Sequence, residues 1–252
     1  GKHYLDKMGN SKLPILTGIA TLVIGLIITF PARVAYKWFA SENLTLSDIS
    51  GSIWHGNAKQ GYATGIYLKN IKWNFQPLTL LAGKFEFFIS SNPTSGFLDA
   101  NVEFSIDGRI TMSDVTAAMP LATLQDALPL GGIQGDLSLQ LSHLVIKDNL
   151  PREVTGILNI ANLISPYLSP RPLGSFRAEF QTTNNDISAS VESISDTPDL
   201  AGIITLTADR HYQFIGQMTT KASTPLSITQ QLQFMGTPNS HGQHEFRIEG
   251  QL

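Results

Sequence analysis

Apolar and polar residues alternate along most of this chain. Leu44 and Leu46 stand between polar neighbours, as do Ile71, Trp73 and Phe75. Leu98, Ala100, Val102, Phe104 and Ile106 repeat the pattern, followed by Leu137, Leu139 and Leu141. Further runs are Phe176, Ala178 and Phe180; Ile187, Ala189 and Val191; Tyr212 and Phe214; and Phe246 and Ile248. A period of two places one face of a strand in a core and the other in water, which favours antiparallel pairing. Turn signals such as "SGS", "NPTSG", "IDGR", "TNND", "SDTPD" and "ADRHY" separate the runs. The intervals are mostly too short for parallel crossovers. The pattern predicts a mainly β, antiparallel domain over residues 43–252.

Two stretches carry helical spacing instead. "MPLATLQDALPLGG" sets Leu121, Leu124 and Leu128 after Pro120 and ends at Gly131 and Gly132. "TPLSITQQLQFMGTP" sets Ile228, Leu232 and Met235 after Pro225 and stops at Gly236. Both are expected as short helices. Each follows a hairpin, near Asp107-Gly108 or Asp209-Arg210, and each precedes a strand. An internal duplication of a hairpin–helix–strand module and a chance likeness among β-rich segments both fit.

The N-terminal part breaks the alternation. Leu13 to Phe30 carries no charge and has close to the minimum length of a membrane-spanning helix. Pro31 follows, with Arg33 and Lys37 among Val34, Tyr36, Trp38 and Phe39, a mixture suited to a headgroup interface. A cleavable signal peptide would have a shorter apolar core and an Ala-x-Ala-like site, and "TFPAR" and "WFASE" lack that pattern. The expectation is therefore an N-terminal tail (1–12), an uncleaved transmembrane helix (13–30), an amphipathic juxtamembrane neck (31–42) and the β domain (43–252). Lys2, Lys7 and Lys12 bias the N-terminus inside. Gly18, Thr21 and Gly25 share one helix face and would let a second transmembrane helix approach; the plainer reading is that glycine is frequent in such helices.

Composition narrows the chemistry. The 252 residues are long enough to bury a core, and the formal charge of −3 gives no reason to expect nucleic-acid binding. With no cysteine, disulfides, thiolate metal sites and cysteine nucleophiles are excluded. Of the six histidines, only His241 and His244 are close, and a tight zinc site needs three or four converging ligands. A solvated loop is the simpler reading. No nucleophile elbow, Ser-x-x-Lys, metalloprotease or phosphate-loop signature is present. Neither catalytic residues nor a cofactor are expected.

"SGSIWHGNA", residues 50–58, puts Trp54 and His55 in a run of small polar residues. Ser50, Gly51 and Ser52 suit a turn leading to a strand that starts at Ile53. Alternation then sends Trp54 to the core and His55 to water, with Gly56 leaving room for the Trp54 ring.

With "LKNIKWNFQPLTLLAGKFEF" downstream, this stretch resembles protein N of the type II (general) secretion pathway. The matching positions are Ser50, Gly51, Trp54 and Gly56, then Leu68, Ile71, Trp73, Pro77, Leu80, Leu81 and Gly83. "LPLGGIQGDLSLQL", "RPLGSFRAEF" and the closing "LQFMGTPNSHGQHEFRIEGQL" extend the likeness to the C-terminus. The resemblance implies a single-pass protein of the bacterial inner membrane, with a cytoplasmic tail and its bulk in the periplasm. It implies an accessory role in protein secretion, with platform proteins L and M and the secretin as partners. A second reading is a lipid-handling module, its curved sheet forming a trough lined by Phe85, Phe87, Phe97, Leu98 and Phe104.

Overall fold

The computed structural model describes residues 12–252 apart from 40–41, 43, 64, 94, 127–130, 168, 195–198, 223 and 235. Two helices open the chain, α1 (Lys12–Ile28) and α2 (Ala32–Phe39). Strands follow: β1 (Leu44–Gly51), β2 (His55–Ala63), β3 (Ile66–Phe75), β4 (Glu86–Pro93) and β5 (Phe97–Phe104). Next come β6 (Ile110–Pro120), β7 (Gln134–Lys147), β8 (Leu150–Ile164), β9 (Gly174–Thr183) and β10 (Asp186–Ser193). The chain closes with β11 (Asp199–Leu206), β12 (His211–Thr219), helix α3 (Leu226–Gln233) and β13 (Gln243–Gln251).

The strands form one 13-stranded sheet in which spatial order equals chain order. Neighbours pair antiparallel throughout, so the chain runs as a meander with β1 and β13 as its edges. Tight turns carry the residues such turns demand. Asp148-Asn149 and Asn184-Asn185 each link paired strand ends with two residues of positive φ, the geometry matched to strand twist.

One face of the sheet is apolar across all the strands. Direct cross-strand neighbours such as Ile49 and Ala58, Val102 and Met112, Leu139 and Leu158, and Phe214 and Ile248 share it. In the middle, Ala100, Val102, Val115, Leu141, Val154 and Ile187 make one buried cluster with Phe180 and Leu206 against it. The sheet curls to achieve this. Arg152 donates to the Ala208 carbonyl (3.3 Å) and Arg210 to that of Asp148 (3.2 Å), joining two turns that a flat sheet would hold about 19 Å apart. At the other end of the strands, α3 seats Ile228 and Leu232 on Leu173, Phe176 and Met218.

Several expectations change. The apolar N-terminal segment is helical to Ile28, not Phe30, because the position before Pro31 disfavours helical backbone. Among the described residues no helix is long and apolar enough to cross a membrane. The neck contains the helix α2, whose Ala32 and Tyr36 pack on Ile49, Ala58 and Ile71. Of the two expected short helices, Leu226–Gln233 is present. The other shrinks to a single 3-10 turn, Leu121–Leu124, since Pro120 is still the last residue of β6; Leu128 lies outside the described residues, as does Met235. Both modules nonetheless share the order hairpin, helical turn, strand. Ile106 is not a strand position but sits fully exposed in the turn after β5. Phe97 falls on the opposite face from Leu98 and Phe104, so it cannot line the same trough.

Candidate functional site

Most of the residues singled out in the sequence gather at the end of the sheet nearest α1; Leu68, near the start of β3, lies away from it. Gly51 has φ +85°, and a side chain there would strike the His55 carbonyl, so the turn from β1 to β2 needs glycine. Ser52 closes that turn: its N–H donates to the His55 carbonyl (2.9 Å), and its hydroxyl accepts from the N–H groups of Trp54 and His55 (3.3 and 3.1 Å). Ser50 donates to the Asn57 side-chain carbonyl across the hairpin (2.6 Å).

Trp54 lies in this turn rather than in a strand, and β2 begins only at His55. Its indole packs half-buried on Phe75 and Phe85, with ring centroids 4.9 and 5.6 Å away. Its Nε1–H donates to the Ile27 carbonyl in the last turn of α1 (2.8 Å). Ile53 N–H donates to the Phe30 carbonyl (3.0 Å), and the Trp54 carbonyl accepts from Phe75 N–H (2.7 Å). The turn therefore holds α1 on one side and β3 on the other. His55 is exposed, its Nδ1 3.1 Å from the Asn74 side-chain oxygen.

Gly56 serves Trp73, not Trp54. The two face each other across β2 and β3, and the Trp73 ring fills the space a side chain at 56 would need. Trp73 Nε1–H then reaches the Ser52 carbonyl (3.2 Å). Ile71 is buried and Leu68 half-buried in the cluster under α2.

The stretch after β3 forms a 3-10 helix, Pro77–Ala82, which the sequence pattern did not suggest. Pro77 begins it and Gly83 ends it in the left-handed region at φ +72°, donating to the Leu80 carbonyl (2.9 Å). Leu78, Leu80 and Leu81 are not core residues: Leu78 and Leu81 are 78% and 87% exposed. Around this lip runs a chain of rings, Trp54, Phe75, Phe85, Phe87 and Phe104, with successive centroids 4.9 to 6.0 Å apart. Its members come from three strands and two turns, which is why local spacing did not reveal it. Along α1, Gly18, Thr21 and Gly25 share an open stripe, and a side chain at either glycine would touch nothing.

Titratable groups are dispersed. His143 pairs with Glu153 on the polar face (2.7 Å), and His241 sits in the turn before β13, apart from any ligand set. Among the described residues no group of three or more His, Asp or Glu could hold a metal ion. The fold clearly changes the acidity of Asp209. The Thr207 hydroxyl and the His211 N–H donate to its carboxylate and hold it below the ordinary value of 3.8.

Residues 42–247 match the family model "Type II secretion system (T2SS), protein N". The chain is 25% identical to the type II secretion system protein N of Vibrio cholerae over 242 residues, covering 92% of this chain and 94% of that one. The proteins of the same name from Aeromonas hydrophila and Klebsiella pneumoniae are 22% and 24% identical. The first alignment covers 90% of this chain and 93% of the relative, the second 92% of each. No solved structure matches. With the motif turn and twelve of the thirteen strands inside the matched residues 42–247, the chain belongs to the type II secretion system protein N family.

Proposed function

We propose that this chain is a non-enzymatic accessory component of the type II secretion machinery. In this reading α1 holds it at the bacterial inner membrane and the sheet lies in the periplasm. Its partners are the platform proteins L and M and the periplasmic part of the secretin. The observation that carries the reading is the double tether that joins the motif turn to the end of α1 and the residues just after it, Trp54 to Ile27 and Ile53 to Phe30. An anchor coupled in this way fixes the direction in which the sheet presents its edges. Leu78, Leu81 and Ile106 crowd the same end of the sheet, where a membrane surface would cover them.

Helix α1 is all apolar or uncharged after Lys12, and its leucine and isoleucine side chains are exposed. Its 17 residues extend about 26 Å, short of an apolar bilayer core of about 30 Å. A short helix of this sort is accommodated by local thinning and by flanking cations that reach the headgroups. The deciding experiment expresses the full chain with proteins L and M. Resistance to carbonate extraction and co-purification with L and M at a fixed ratio are expected. Release into the carbonate supernatant, or purification without either protein, would reject the reading.

The lipid-handling alternative draws on the same apolar face. Against it, the middle of that face is filled by the chain's own side chains: Val115 and Ala189 are only 2% and 1% exposed. Lipid co-purifying with the protein at a fixed ratio would favour the trough.

A further inference from the structure

The two edges of the sheet are built differently. Edge strand β1 is blunted in three ways. It bends at Asp48, which has φ +53°. Helix α2 lies against it, and the Tyr36 hydroxyl takes up the outward N–H of Leu46 (3.1 Å). Pro31 bridges to Ser52 at its end. Such devices keep an edge from pairing with other chains. Strand β13 has none of them. Its nine residues pair with β12 without a register shift, and they include no proline and no positive φ.

The free backbone groups of β13 can be assigned. Leu252 N–H donates to the Arg210 carbonyl, and the His211 carbonyl accepts from Thr207 on the β11 side. By alternation, residues 248 and 250 turn their backbone groups toward β12, whereas 245, 247, 249 and 251 turn theirs outward. Gln243 is already occupied, bonding Asn239 through both its N–H and its carbonyl.

We infer that β13 is a self-recognition edge, at which a second copy of this chain adds antiparallel with Ile248 on the two-fold axis. In that register Arg247 lies opposite the second copy's Glu249, and Glu249 opposite its Arg247. Both residues have outward-facing backbone, so each pair exchanges hydrogen bonds, and the 245/251 pairs extend the ladder. On the apolar face Phe246 meets Gly250. This repeats a packing the chain already uses, where Phe246 covers Gly216 and Tyr212 covers Gly250. Ile248, half-exposed on the free edge, is buried against its own copy.

Charge and geometry reject the neighbouring registers. An axis on Arg247 sets Arg against Arg and Glu245 against Glu249. One on Glu249 again opposes like charges. An axis on Phe246 restores Glu–Arg pairing but requires backbone groups of Gln243 that are already bonded. The partner is isologous, and because α2 covers β1 the assembly closes at two copies instead of growing into a filament.

The chain has no cysteine, so single cysteines in the full-length protein test this cleanly. Ile248→Cys places the two sulfur-bearing residues in a directly opposed pair, with Cα atoms roughly 4.5 Å apart, inside disulfide range. Glu245→Cys separates them by roughly 20 Å along the strands. A disulfide dimer with Ile248→Cys and none with Glu245→Cys is expected. Arg247→Glu alone or Glu249→Arg alone turns both charge pairs repulsive and should weaken dimerisation roughly tenfold. Mixing the two variants restores opposite charges across the axis, so the 1:1 mixture should form a heterodimer that neither forms alone. Monomeric wild-type protein at high concentration, cross-linking through Glu245→Cys or Phe246→Cys instead, or no rescue on mixing would each overturn the inference. None of these outcomes depends on the secretion reading.

Discussion

Trp73 occupies the space in front of Gly56, directly across the β2–β3 ladder. A Cβ at position 56 would lie 2.7 Å from the indole Cε2, closer than real contacts allow. The ring is held there by its hydrogen bond to the Ser52 carbonyl, so it cannot swing aside without opening the turn. Gly56→Ala should therefore destabilise the protein by about 1–3 kcal/mol, the usual effect of overpacking. Trp73→Ala leaves a gap and should cost about 2–4 kcal/mol, somewhat below the range for a fully buried tryptophan. Together the two changes should cost less than their sum, because removing the ring removes its share of the clash and leaves only that with the Ser52 carbonyl, 2.7 Å from the added Cβ. Thermal melts of the full-length protein and the three variants check this.

Trp54 separates packing from tethering. Trp54→Phe keeps a ring against Phe75 and Phe85 but removes the donor to the Ile27 carbonyl. It should leave the melting of the sheet within about 1 kcal/mol of wild type, the worth of one such hydrogen bond. At the same time, amide exchange in the last turn of α1 should rise. Trp54→Ala loses the packing too and should cost about 2–4 kcal/mol. His55→Ala, at an exposed position, should stay within about 0.5 kcal/mol and leave secretion unchanged. Loss of secretion in a stable His55→Ala protein would make that histidine a working residue.

The sequence was readable where the inward residues are large and the strand unbroken. Strand β5 shows Leu98, Ala100, Val102 and Phe104, and β10 shows Ile187, Ala189 and Val191. Strand β2 was silent because its inward positions are Gly56, Ala58, Gly61 and Ala63, small residues that make room for Trp73, Ile71 and Leu46. Strands β6 and β8 were hidden by bulges. Asp114 and Asn162, both at positive φ, shift the inward parity, so Met112 is followed by Val115 rather than by residue 114. Strand β4 has Phe87 and Phe88 on opposite faces, which erases alternation. The motif glycines were legible as turn and clearance positions, but not which ring each one served. Trp54 and Trp73 stand nineteen places apart, and only strand pairing assigns Gly56 to the second.

Asp209 gives an acid-side signature. Its depressed pKa means the folded state binds the proton less readily than the unfolded chain does. Its contribution is then fully present above about pH 3.8 and is lost as pH falls through the lower, folded value. A carboxyl titration followed by NMR should place its midpoint below 3.8. The leading cause is the Thr207 hydroxyl, so Thr207→Val should move that midpoint back toward 3.8. An unchanged midpoint in that variant would remove the hydroxyl as the cause.

Ala189 distinguishes a filled sheet from an open trough. It sits on the apolar face of β10 with Phe180 and Ile204 as its direct cross-strand neighbours, and it is 1% exposed. The chain's own side chains cover it, with Phe180 and Ile204 beside it, so the apolar face is closed at this position. If that closure is the working state, Ala189→Leu forces three methylene-sized groups into occupied space and should cost about 1–3 kcal/mol. Ser190→Leu points to the polar face beside Glu179 and Ile203 and should stay within about 0.5 kcal/mol. A sheet that opens to take up an acyl chain would behave in the opposite sense. Position 189 would then accept leucine without loss of stability, and the added bulk would displace bound lipid. The melting temperatures of the two variants, measured beside the lipid content of each preparation, tell a scaffold from a carrier.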